Sequence, residues 1–193
     1  MLLTTLAAGA PTTGPAPDAT TPRGLLLVSD GLAGAGPEAY MPLYYAADDD
    51  QHRLASFETK LDAQFGMLQV MLEKKWDTSA AIEICHALGN LSAADVKPDG
   101  VQIDGDRATV TWNSDSVYPP LALIRVDGQW KFDLAAELKT DQMSVDDCIE
   151  TYRKGSHNVA DFATDVDTGK FASAADALAQ AKKRFAVLWG TTN

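Results

Sequence analysis

Nothing in this chain of 193 residues approaches an uninterrupted apolar run of membrane-spanning length, so a spanning helix is excluded from the outset. Positive charge is scarce as well. Sixteen Lys and Arg stand against 27 Asp and Glu, a formal net charge of -11, so nucleic acid and anionic membrane surfaces are excluded as general partners: a phosphate array would be repelled rather than neutralised. The one basic cluster, Lys182 to Arg184, falls in a helical pattern and reads as a solvated face. There are two cysteines, Cys85 and Cys148, which is no disulfide framework; they read as small buried hydrophobes or as a single bridge in an oxidising compartment. The three histidines, His52, His86 and His157, share no metal-ligand spacing, so no metal and no cofactor is expected.

Sequence signatures of chemistry are equally thin. No G-x-S-x-G occurs, and Cys85 beside His86 on a helix cannot act as nucleophile and base, because adjacent helical residues point in different directions. "GLAGAG" at Gly31 to Gly36 has no preceding strand, which removes the dinucleotide reading. "DVDTGK" at Asp165 to Lys170 lacks a third acidic position and the closing Glu of a calcium loop.

What is present is the composition of a globular domain, 46% hydrophobic and 22% charged, long enough to bury a core without staples. Residues 1–21 hold a short apolar segment ending in "LAAGA" and then a Pro/Thr/Ala-rich stretch, read as a signal remnant or linker of an exported protein. "PRGLLLVSDGLAGAG" predicts a helix with Pro22 near its start, and Pro37 opens a second short helix reset at Pro42. Leu54, Phe57, Leu61, Phe65, Leu68 and Leu72 recur at spacings of three and four, predicting a long amphipathic helix with Asp50 as its N-cap. "SAAIEICHALGN" predicts a shorter helix closed at Gly89.

The period then changes to two. "VQIDGDRATVTW" and "LALIRVDGQWKFDL" each place Asp-Gly between alternating runs, the strongest short-range signal for a tight hairpin. With Asp104-Gly105 as the loop, Val101 falls opposite Ala108. In the second hairpin, with Asp127-Gly128 as the loop, Arg125 faces Trp130, Leu123 faces Phe132 and Leu121 faces Leu134. Ala122, Ile124 and Val126 make that third strand apolar on its other side too, and the carboxy-terminal segment is expected to cover it. Ser144 with Asp147 forms a capping box ahead of a helix running past Gly155 to Gly169, and Ser173 with Asp176 opens a last helix stopping at Gly190.

Amino-terminal helices followed by this meander, above all "PLALIRVDGQWKFDL" and the ending "TGKFASAADALAQAKKRF", resemble the nuclear transport factor two-like superfamily, the cone shared with ketosteroid isomerase and polyketide cyclases of the SnoaL type. The likeness is to exported bacterial members of unassigned function. It implies an α+β fold, with a core over residues 22–140 and a helical extension over residues 141–193. The motifs behind it are architectural and transfer a fold better than an activity.

Three functional expectations follow. The first is a non-catalytic exported domain that binds a small apolar or amphipathic ligand or associates with a second copy, with Tyr44, Tyr45, Trp112, Arg125 and Trp130 as ligand contacts. The second is an isomerase- or dehydratase-like enzyme on a small hydrophobic carbonyl compound. For it Tyr40, Tyr44 and Asp48, at i, i+4 and i+8, offer two phenols and a carboxylate if the helix survives Pro42. The third is a structural domain with a filled cone.

Overall fold

In the computed structural model, described over residues 18–113 and 118–189, Thr21 Oγ1 accepts from the Gly24 amide and starts α1 (Pro22–Asp30). The reading of residues 1–21 falls largely outside the described residues. Pro22 suits the first turn, where an amide would lack a partner in any case. The next helix, α2 (Pro37–Tyr40), tightens into a 3-10 turn over Met41–Leu43 and then runs extended into the two-residue strand β1 (Tyr44–Tyr45). Pro42 supplies no amide hydrogen, so no helical face carries Tyr40, Tyr44 and Asp48 together.

Asp48, not Asp50, caps α3 (Asp49–Lys75): its Oδ1 accepts from the Gln51 amide at 2.8 Å. This helix of 27 residues is the axis of the molecule. Asp77 caps α4 (Thr78–Leu88), which stops at Gly89 with φ of 111°, a conformation that favours glycine.

The sheet follows as β2 (Val96–Asp104), β3 (Arg107–Trp112), β4 (Leu121–Val126) and β5 (Gln129–Asp133). Its order is β1-β5-β4-β3-β2, antiparallel except that β1 lies parallel to β5. In the β4-β5 hairpin Asp127 and Gly128 both have positive φ, and Arg125 pairs with Trp130 and Leu123 with Phe132, as the primed-turn reading requires. Leu134 does not extend that ladder opposite Leu121, because Asp133 Oδ1 accepts from the Ala136 amide and starts a helix there. In the β2-β3 hairpin Asp104 pairs with Arg107, so the loop is Gly105-Asp106 and Val101 faces Val110 rather than Ala108. Only Gly105 of the two takes positive φ there. The partner shifts by two residues, which leaves every side chain on its expected face.

Three helices complete the fold: α5 (Leu134–Asp141), α6 (Val145–Asp167) and α7 (Ala174–Trp189). The arrangement is α+β. Among the described residues no helix is long and apolar enough to cross a membrane. Of these helices only α5 packs closely on β4 among the described residues. By contrast α6 packs along α3 and α7 along α4, and Ala122, Ile124 and Val126 stay half-buried.

Two apolar cores result. One lies between the sheet and α1, α2 and the start of α3, around Leu25, Leu54, Val110, Leu123, Trp130 and Leu134. The other joins α3, α4, α6 and α7 around Leu68, Leu72, Ile84, Phe162 and Val166. Cys85 and Cys148 are buried in different cores, which leaves no bridge between them.

Candidate functional site

Between the two cores lies a cavity of about 470 Å³, a volume within the range of small-ligand sites. Its walls are mostly apolar: Leu26 from α1, Leu61 and Phe65 from α3, Trp112 and Phe132 from the sheet, and Val159 from α6. Trp112 is fixed by its indole N–H, which donates to the Pro119 carbonyl at 2.9 Å.

Into this apolar space the fold aims one dense polar cluster. The Tyr44 hydroxyl, from β1, donates to Asp62 Oδ2 on α3 at 2.6 Å, and its ring lies 4.9 Å from that of Phe132. The Tyr152 hydroxyl, from α6, donates to Glu137 Oε1 on α5 at 2.5 Å. Glu58, one turn before Asp62 on α3, lies between these pairs within electrostatic reach of both carboxyls and both hydroxyls. Its Oε2 is shut off from solvent and has no hydrogen-bond partner among the described residues. A buried polar atom left without a partner is uncommon in folded proteins and calls for an explanation.

Burial pushes the Glu58 carboxyl well above its ordinary value, and the charges of Glu137 and Asp62 push it further, against the lowering effect of the Tyr44 and Tyr152 hydroxyls. Asp62 is raised to about 6, by burial against the lowering effect of the Tyr44 hydrogen bond. Tyr44 and Tyr152 are both held well above the usual phenol range, first by burial and then by the neighbouring carboxyls. The cluster therefore holds two phenols and a Glu58 carboxyl that all resist losing their protons, beside an Asp62 that titrates close to ambient conditions.

The residues singled out from the sequence divide sharply. Tyr44 and Trp112 line the cavity. Tyr45 follows Tyr44 in a strand, where successive side chains point to opposite faces, and it does not line the cavity. Arg125 lies over the Trp130 ring at 5.5 Å and pairs with Asp106 at 2.8 Å, two residues nearer the 127–128 turn than the Leu123–Phe132 pair; neither residue lines the cavity. Asp48 stands exposed at the start of α3, with its carboxyl engaged by the Gln51 amide and side chain. The pairing of Tyr44 with Asp48 as acid and base is thereby corrected: the carboxylate that Tyr44 meets is Asp62.

Four members of the cluster, Glu58, Asp62, Glu137 and Tyr152, were not legible as site residues. The available signal was the position of Glu58 and Asp62, each one residue after Phe57 and Leu61 of the apolar stripe, on its shoulder rather than opposite it. No protein-family model matches this chain, and no curated protein or solved structure does either.

Proposed function

We propose that this protein binds a small amphipathic molecule, its apolar body against Trp112, Phe132 and Phe65 and its polar end at Glu58, Asp62 and Glu137. The observation that carries the reading is the unpartnered Oε2 of Glu58 at the head of a mostly apolar cavity. A filled, purely structural core would not enclose about 470 Å³ or leave a buried carboxyl oxygen unmatched. The helices on an antiparallel meander also support membership of the nuclear transport factor two-like superfamily, as part of the same proposal. The exported reading belongs to the proposal as well; it rests on residues 1–21 and is tested by secretion of a reporter fused to them.

Native mass spectrometry of the protein purified from its own host, set against its denatured mass, tests the binding reading. A co-purifying small molecule lost on denaturation is the expected result. A bare chain that also fails to take up any amphiphile sinks the proposal, and a bare dimer mass would direct attention to self-association.

A second reading is favoured by one specific observation, the titration of Asp62 near 6 in direct hydrogen bond to Tyr44. A carboxylate poised there and a phenol beside it suit proton abstraction next to a carbonyl, with the protonated Glu58 able to donate to the developing oxyanion. Exchange of the α-hydrogens of small hydrophobic ketones for deuterium, abolished in Asp62→Asn, would establish this reading. Absence of exchange across ketones that demonstrably bind would remove it.

A further inference from the structure

The charged side chains that line the cavity are all of one sign. Glu58, Asp62 and Glu137 converge at its head, Asp30 stands at its rim, and among the described residues no Lys, Arg or His contributes to its lining. Carboxyls gathered in an apolar enclosure destabilise one another unless something compensates them. The two phenols compensate in part: the Tyr44 hydroxyl donates to Asp62 and the Tyr152 hydroxyl to Glu137, and both also lie close enough to Glu58 to draw its carboxyl down against the effect of burial. Glu58 Oε2 accepts no hydrogen bond among the described residues. A hydrogen-bond donor carrying positive charge would complete that compensation, taking the place of the proton that Glu58 otherwise keeps.

A ligand alcohol would bring one donor and no charge, and a ligand carboxylate would add to the repulsion. A primary ammonium brings three donors and the opposite charge, and charge-assisted hydrogen bonds are roughly twice as strong as neutral ones. The aromatic walls suit the same choice, because the ring face attracts a cation while the ring body takes up a hydrocarbon. Resting on the ligand-binding reading above, we infer that the ligand is a protonated primary or secondary amine with an apolar body, its ammonium seated among Glu58, Asp62 and Glu137.

The seat is also a proton switch. Glu58 faces Asp62 on its own helix, Tyr44 from β1, Glu137 from α5 and Tyr152 from α6, with Cys148 of α6 beside that tyrosine. None of these carries positive charge, so an arriving ammonium is the group that allows Glu58 to ionise. Binding then releases a proton to solvent. Affinity rises with pH over the range in which Glu58 and Asp62 give up their protons.

The full chain is titrated calorimetrically with octylamine, octanol and octanoate between pH 6 and pH 8.5, in buffers of different ionisation enthalpy so that released protons are counted. The expected result is octylammonium binding at least about tenfold tighter than octanol, proton release on binding and no binding of octanoate. Glu58→Gln and, independently, Asp62→Asn weaken octylamine by about tenfold or more and weaken octanol by much less, because only the amine loses a charge partner. Octanol binding as tightly as octylamine, or amine binding without proton release, overturns the amine assignment and leaves the pocket reading standing. Failure of all three amphiphiles to bind overturns both.

Discussion

Glu58 and Asp62 are held in the folded chain with carboxyls that resist ionisation, and that resistance makes stability depend on pH. Asp62 moves from an ordinary 3.8 to about 6, so between those values the folded state binds a proton that the unfolded state has released. The stabilisation is fully present below the ordinary value and is lost as pH rises through 6. Asp62→Asn keeps an acceptor for the Tyr44 hydroxyl and has nothing to ionise. Its melting temperature is expected to match the parent near pH 4 and to exceed it by roughly 3–6 °C at pH 8. Thermal melts across that range decide the point, and a parent that gains on the variant as pH rises would contradict it. Tyr44→Phe acts in the other direction on the same carboxyl. With the one donor that lowers its titration removed, Asp62 is expected to titrate above 6, by about one pH unit, in a carbon-detected NMR titration of its side chain.

At the level of elements, the placement of the site depends on how closely α3 is approached on its different sides, and two glycines record this. Gly155 of α6 faces α3, and a β-carbon there would meet only the mobile end of Leu61, at 3.3 Å. Gly155→Ala is expected to be within about 0.5 kcal/mol of neutral, since improved helix propensity offsets the tight contact. Gly155→Leu overpacks the helix pair and should cost about 1–3 kcal/mol. Gly66 of α3 is different, because a β-carbon would fall 3.0 Å from the Ala33 Cα and from the Gly34 amide, backbone that cannot turn aside, and 2.8 Å from the Tyr40 hydroxyl. Gly66→Ala should therefore destabilise by about 2 kcal/mol, more than Gly155→Ala, as urea denaturation of the pair would show. These approaches also explain what the sequence made legible. The Leu54 to Leu72 stripe, the Asp-Gly turns and the Ser144 cap are local patterns, and local patterns predicted α3, both hairpins and α6. The helix α5 was hidden because Asp133 both ends a strand and caps a helix, two roles that no periodicity separates. Glu58 and Asp62 read as a solvated shoulder because their burial comes from α5 and α6, about 75 to 95 residues away along the chain, and Tyr152 read as one more apolar stripe position.

Over the whole molecule the question is which electrostatic effect governs stability, attraction within ion pairs or repulsion across the surface. The pairs Arg53–Asp50, Arg53–Asp146, Arg125–Asp106 and Arg153–Glu150 are all at least 43% exposed on each side, and exposed pairs contribute a few tenths of a kcal/mol each, or nothing. Against them stands a net charge of -11 on one chain, concentrated by folding and spread out by unfolding. Repulsion therefore outweighs attraction, and screening it should help the folded state more than weakening the ion pairs harms it. Raising sodium chloride from about 10 mM to 500 mM shortens the screening length from roughly 30 Å to under 10 Å, enough to cut repulsion across the molecule while sparing contacts within it. The melting temperature at pH 7.5 is expected to rise by roughly 2–5 °C over that range, and to rise less in Asp62→Asn, where part of the repulsion has been removed. A melting temperature that falls with salt would mean that the surface pairs act as a cooperative network, which their exposure argues against.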